Sequence, residues 1–477
     1  MSTRKKNSSF ARMSEAQRYI RPATYYEKYF SYRTEGGFYT NFNITVQLNR
    51  VITPTVLSSS LRQLILKNPN LALNFTTNTL KGSVAHAVLQ IRYDDVVTFA
   101  AIDHEFDESL LAHFNQQLCP VNTDKPLWRL LVHQFKETQY LTVICEHTLF
   151  DGNSGVYFHK DLVQALQDNL HTEEFVDVLF DFTRDGAIFE NNCRPTSDLV
   201  DIYDVSVWAT VKLWLESICP KWILKVWSSY FRKDHPNFFK YPLLKYTPYK
   251  KGFETQYKLV SFTTDQVSTM LKFIKRQGLT FTPFMTSIAH KTFQDVITPA
   301  IDSNNHYSLS TAIVVNGRRY FPDSEFDLKY NLCVGVSKII LGPLEGDLIP
   351  SMKLVNKMLL SDLNTRVGFK PMGALKYANA KLILDGTIGT HPGCTMEISN
   401  LGNQKISTED LNVENIWFSQ DLGTSGLMGF SLVSSGGGMN IVTGIVPEVF
   451  NLQTENGTVI DVFVDQLKNN LLAYCKA

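Results

Sequence analysis

His147 and Asp151 are the pair in this 477-residue chain whose types and spacing best suit chemistry. They lie in the stretch Cys-Glu-His-Thr-Leu-Phe-Asp-Gly-Asn-Ser-Gly, residues 145–155. Imidazole is the one unperturbed side chain that titrates near neutral pH, so it can take and return a proton under ordinary conditions. A carboxylate four positions later can fix the ring or the loop, and the spacing does not choose between them. Cys145 precedes His147 by two residues. On a strand those two side chains share a face. Two readings stay open: a Cys–His nucleophile, or a buried strand cysteine beside a base.

Such a pair needs a strand before it and a helix after it. Residues 127–135 and 141–145 are apolar, strand-like runs. After Gly155, the residues Phe158, Leu162 and Leu166 recur every four positions, which predicts a helix starting close to Asp151. The imidazole therefore falls where a strand gives way to a turn. Upstream, residues 1–20 read as a polar tail, and alternating apolar residues predict a strand over 38–48. Thr53 and Pro54 open a helix whose stripe is Leu57, Leu61, Leu64 and Ile65, stopping near Asn68-Pro69. Strand-like segments follow over 85–93.

The second half repeats this mixed grammar. Thr263 and Gln266 have capping-box spacing before the stripe Val267, Met270, Leu271 and Ile274, and Gly278 can end that helix. Thr282-Pro283 begins another, with Phe284, Ile288 and Ala289 inward. Strands are predicted over 307–315, 393–400, 427–434 and 439–446, with Gly436, Gly437 and Gly438 as a hairpin turn. A last helix carries Ile460, Phe463, Leu467 and Leu471. The expected division is a lobe over 1–180 with the histidine motif, a linker over 181–250 and a second lobe over 251–477. Within the linker, 205–231 holds Trp208, Trp214, Trp222 and Trp227 among lysines, with Pro220 as a helix breaker. Its charges make it a poor membrane span. It reads as a packed helix pair or as an interfacial membrane segment.

Equal numbers of basic and acidic residues, 46 each, argue against broad nucleic-acid binding. At 44% hydrophobic and 19% charged, the chain is a packed globular protein. Cysteines at 119, 145, 193, 219, 333, 394 and 475 form no C-x-x-C pair. That argues against a zinc site or a disulfide framework and favours a reducing compartment. No secretory signal is visible. The G-x-S-x-G, P-loop, Rossmann and H-E-x-x-H patterns are absent.

Taken together, Pro126-Leu127-Trp128-Arg129-Leu130, His147-x-x-x-Asp151-Gly152-x-Ser154 and Asp161-Leu162 resemble the CoA-dependent acyltransferase superfamily of chloramphenicol acetyltransferase, plant BAHD enzymes and peptide-synthetase condensation domains. Leu66-Lys67-Asn68-Pro69-Asn70-Leu71, then Asn316-Gly317-Arg318 with Asn331-Leu332-Cys333-Val334-Gly335, extend the likeness in order. Ser399-Asn400-Leu401-Gly402 resembles the fungal alcohol O-acetyltransferase branch. Glu146 stands where condensation domains double the histidine, and the plant Asp-Phe-Gly-Trp-Gly motif is missing, so the fungal branch fits best.

The resemblance implies a mixed α/β fold of two similar lobes, chloramphenicol acetyltransferase-like, with a tunnel between them. It implies acetyl-CoA-dependent acetylation of a hydroxyl or amine on a hydrophobic acceptor, from small alcohols to sterols and long-chain amines. His147 would be the general base, with no acyl-enzyme. Acetyl-CoA would be a co-substrate, with no bound cofactor and no metal. Asp151 and Gly152 would support the site, Asp151 pairing with Arg318, or with Arg319 as the fallback. Ser399 and Asn400 would touch the acceptor or the oxyanion. A cytoplasmic monomer is expected, with peripheral contact to endoplasmic reticulum or lipid droplets through 205–231. The alternatives are a non-catalytic lipid- or protein-binding member of this fold and, less favoured, a condensation-type enzyme.

Overall fold

The computed structural model describes residues 14–79, 82–190, 193, 201–206, 208, 211, 254–301, 307–321, 328–388, 392–454 and 457–475. Apart from 205, 206, 208 and 211, the tryptophan-rich segment 205–231 lies outside the described residues, as does most of the expected linker 181–250.

The elements that position the motif are, in chain order, α1 (Tyr25–Glu35), β1 (Phe42–Leu48), α2 (Pro54–Lys67), β2 (Val97–Ala101), β3 (Trp128–Phe135), β4 (Thr138–Cys145) and α3 (Gly152–Asp168). The second half adds β5 (Gln256–Phe262), α4 (Thr264–Arg276), α5 (Phe281–Thr292), β6 (Leu309–Asn316), β7 (Val334–Leu341) and α6 (Ile349–Thr365). It ends with β8 (Met396–Asn403), β9 (Val413–Gln420), β10 (Met428–Ser435), β11 (Gly438–Ile445) and α7 (Val459–Ala473).

Two sheets carry the molecule. A five-stranded sheet runs β9-β1-β4-β3-β2, and a six-stranded sheet runs β5-β11-β10-β8-β6-β7. Helices α2 and α3 pack on each other beside the first sheet, and their stripes share its core with Phe42, Ile44 and Val46. Helices α4, α5 and α7 bury theirs against the second, around Phe284, Phe430 and Phe463. Strand β9 breaks the division by halves. It comes from beyond residue 251, yet pairs antiparallel with β1 along Trp417↔Thr45 and Phe418↔Ile44. The first sheet is thus completed by the last third of the chain.

Local chemistry explains most boundaries. The Thr53 hydroxyl accepts from the Val56 amide, Pro54 fills the first turn of α2, and Asn68-Pro69 ends it. Thr263 and Gln266 form the expected capping box of α4, and Gly278, at φ +67°, follows its end. Gly436 and Gly437 join β10 to β11, which begins at Gly438. Residues 14–20 correct the reading of a loose polar tail. Tyr19–Pro22 pairs with Gly82–Ala87 in a three-stranded sheet, and Arg18 is buried, donating to Ala87 O and Asp124 Oδ1 at 2.6 Å each. Among the described residues no helix is long and apolar enough to cross a membrane.

Candidate active site

Strand β4 ends at Cys145, and α3 begins at Gly152. His147 sits half-buried in the turn between them. Three rings fix its imidazole: Phe30 stacked at 4.6 Å and 23°, Phe42 edge-on at 5.3 Å and Tyr39 tilted at 5.8 Å. Nδ1 is buried without a direct hydrogen-bond partner. Burial pushes the His147 pKa down to about 4, and the Arg33 charge adds to this, against Asp151 and the backbone of His147 and Phe150. The ring is therefore neutral at pH 7.

Asp151 spends its hydrogen bonds on partners other than the histidine ring. It caps α3, its Oδ1 accepting from the Ser154 amide at 3.0 Å. Its Oδ2 accepts from Arg318 Nη1 at 2.7 Å and from the Cys333 amide at 2.9 Å. The contact is not the two-pronged fork that an arginine and a carboxylate can make. The other guanidinium nitrogens donate to Asn331 O at 2.6 Å, Leu328 O at 2.9 Å and Lys329 O at 3.2 Å. Arg319, the fallback partner, is exposed.

The turn that delivers Arg318 is built locally. Asn316 Oδ1 accepts from the Arg318 amide at 3.0 Å, and the Gly317 amide donates to Cys333 O at 2.8 Å. A Cβ at Gly317 would stand 2.8 Å from Cys333 Sγ and 2.9 Å from Ile202 Cδ1, so the close approach needs glycine. The two separated motifs, 316–318 and 331–335, are thereby one contact.

Gly152 opens α3 against Leu401 and Phe418, the first of which would lie 2.9 Å from an added Cβ. Ser399 is buried on β8, in register with Ser431. Asn400 Oδ1 accepts from the Gly402 amide at 2.8 Å, and its Nδ2 donates to Thr282 Oγ1 at 3.4 Å. Asn400 also lines a groove of about 450 Å³ with Lys272, Lys275, Phe281 and Ser435. Leu401, between the groove residues Asn400 and Gly402, packs on Gly152 at the start of α3. A second cavity, of about 210 Å³, lies between Tyr32, Phe38 and Leu384; His147 lines neither.

Cys145 is buried, and burial drives its thiol pKa well above the ordinary range. A thiolate is the reactive form, so the burial of Cys145 favours the reading of a buried strand cysteine. Among the described residues no three His, Cys, Asp or Glu converge as a metal site requires.

Sequence reading missed α1 and its contribution. Phe30, Arg33 and Thr34 all face the histidine loop, and Thr34 Oγ1 donates to the carboxylate of Glu146. The available signal was Thr24 with Glu27, a capping-box spacing that the structure realises.

A family model described as alcohol acetyltransferase matches residues 23–471. Alcohol O-acetyltransferase 2 of Saccharomyces cerevisiae is 23% identical over 357 residues, covering 63% of this chain and 64% of that protein. The match thus spans less than two thirds of the relative's length. The trichothecene 15-O-acetyltransferase of Fusarium sporotrichioides superposes with a TM-score of 0.68 at 11% identity, over 97% of this chain and 96% of that one. The first condensation domain of the calcium-dependent antibiotic synthetase gives 0.62 at 11% identity, over 96% and 97%. At these identities the structures show a shared fold, the two-lobed mixed α/β arrangement of acyltransferases and condensation domains.

Proposed function

Because the chain belongs to the alcohol acetyltransferase family, we propose that it moves the acetyl group of acetyl-CoA to the hydroxyl or amine of a hydrophobic acceptor. His147 is the base. The acceptor oxygen or nitrogen attacks the thioester carbonyl while its proton passes to the imidazole. The tetrahedral intermediate then collapses, the carbon–sulfur bond breaks, and the imidazolium returns the proton to the departing thiolate. No acyl-enzyme forms. A ring whose pKa is depressed to about 4 is free to accept at pH 7, and once protonated it gives the proton up readily.

The observation that carries this reading is the division of labour in the motif. Asp151 is spent on Arg318, Cys333 and the cap of α3, which leaves His147 neutral and half-buried beside it. The groove by Asn400 supports an entry for CoA. Lys272 and Lys275 suit its phosphates, and Phe281 and Leu271 its apolar arm. Ser399 and Asn400 precede Leu401, the β8 residue that packs on Gly152, and are the proposed contacts to the acceptor or the developing oxyanion.

The test is thiol release from acetyl-CoA with a panel of fusel alcohols, sterols and sphingoid-like amines. Release that depends on one acceptor class supports the proposal and names the class. No release with any acceptor, together with no measurable CoA binding, favours a non-catalytic binding protein on the same fold.

A further inference from the structure

Helix α1 presents Tyr26, Phe30, Arg33 and Thr34, spaced for one helical face, to the loop that carries His147. Each member has a defined contact. The Tyr26 hydroxyl donates to Val334 O at 3.1 Å, beside the Cys333 amide that holds Asp151. Phe30 stacks on the imidazole. Thr34 Oγ1 donates to Oε1 of Glu146, whose Oε2 accepts from the Thr148 amide at 2.5 Å. Glu146 is wholly buried, so it fastens the backbone on both sides of His147 to α1.

Arg33 differs from the others because its polar atoms lack a matching contact. Its guanidinium lies 4.0 Å from the Tyr39 ring centroid and 5.5 Å from that of Phe30. Its Nε is buried without a hydrogen-bond partner. Among the described residues no carboxylate forms an ion pair with it. Glu146 and Glu397 both feel its charge, but Glu146 is held by Thr34 and Thr148, and Glu397 Oε1 accepts from Gln420 Nε2 at 2.7 Å. The chain has also made room for it. Gly423 has φ +53°, and a Cβ there would stand 2.7 Å from Arg33 Nη2. A partly buried cation without a close counter-charge is costly, and the stacking on Tyr39 offsets only part of that cost.

We propose that Arg33 is a positioning residue for the transfer reaction: packed on Tyr39 and Phe30, the two rings that also flank the His147 imidazole, its charge disfavours a second positive charge on that ring. This rests on His147 being the base. The charged groups around the imidazole are Arg33 from α1, Glu146 and Asp151 from its own loop, Arg318 behind Asp151, and Glu397 and Asp421 beyond Tyr39. Asp151 favours the protonated ring and is matched by Arg318, while Arg33 opposes protonation. The guanidinium and the imidazole share the Phe30 and Tyr39 rings as neighbours, so Arg33 acts on the imidazole through its charge.

The test compares wild type with Arg33→Gln and Arg33→Lys by two readouts. The first is the His147 titration, followed by NMR of histidine-labelled protein and assigned with His147→Gln; it needs no turnover. The second is the pH profile of kcat/KM. Arg33→Gln should move the His147 titration and the acid limb of kcat/KM to higher pH together, so that activity near pH 5 falls relative to pH 8. Arg33→Lys returns a cation and should move both back. An unmoved titration in Arg33→Gln overturns the proposal whether or not His147 is the base. So does a rise in acceptor KM at every pH with the acid limb in place, which would make Arg33 a substrate contact. Failure of the acetylation proposal itself would show differently, as absent thiol release in the wild type.

Discussion

At Asp151 one carboxylate caps a helix, anchors an arginine and takes a backbone amide, all while wholly buried. Removing its charge leaves Arg318 buried without its counter-ion. Breaking a buried pair from one side costs roughly 3–5 kcal/mol. Asp151→Asn should therefore lower the stability measured by urea denaturation by about that amount, with activity falling because the histidine loop loosens. A wild-type denaturation midpoint would contradict the structural role. His147, Asp151 and Arg318 were legible because their spacing belongs to motifs with known order. Arg33, Thr34 and Glu146 were not. In a sequence, an arginine near the end of a helix and a glutamate after a strand look like solvated residues, and only the fold puts both under the same turn.

Among the elements, those with clear caps and aliphatic stripes were readable: α2 from Thr53 and Pro54, α4 from Thr263 and Gln266. Helix α1 was not, since its Tyr-Tyr-Glu-Lys-Tyr-Phe-Ser-Tyr sequence spreads aromatic residues around the axis and shows no stripe. Strand β9 was also hidden. Its burial does not alternate, because Ile416, Trp417, Phe418 and Ser419 are consecutively buried where the two sheets meet. Its partner, β1, lies far away in the chain, and local pattern cannot choose it. Phe418 is the test of this element. It is buried in the first core, and its ring would stand 3.4 Å from a Cβ on Gly152. Phe418→Ala should cost roughly 3–5 kcal/mol by urea denaturation and reduce thiol release as well. A loss of stability with full activity would mean that β9 supports the sheet but not the start of α3.

At the scale of the molecule, four histidines among the described residues are held neutral by burial: His133, His147 and His159 with pKa values lowered to about 4, and His290 to about 3. In the unfolded chain they return to about 6.5. Between those limits the unfolded state binds more protons, so stability is full above about pH 6.5 and is lost as pH falls towards 4. The urea midpoint should drop steadily from pH 7 to pH 5, and a flat midpoint over that range would contradict the burial of these rings. Such a protein needs an assay near neutral pH, where the fold is intact and the His147 imidazole is uncharged.

The most direct measurement is acceptor-dependent thiol release from acetyl-CoA by His147→Ala, made beside a circular dichroism spectrum and thermal melt of the same preparation. A lost general base costs roughly 10²–10⁴-fold in rate, so the variant should fold like the wild type and turn over slower by at least the lower figure. A folded variant that releases thiol at a near wild-type rate would contradict the assignment of His147 as the base.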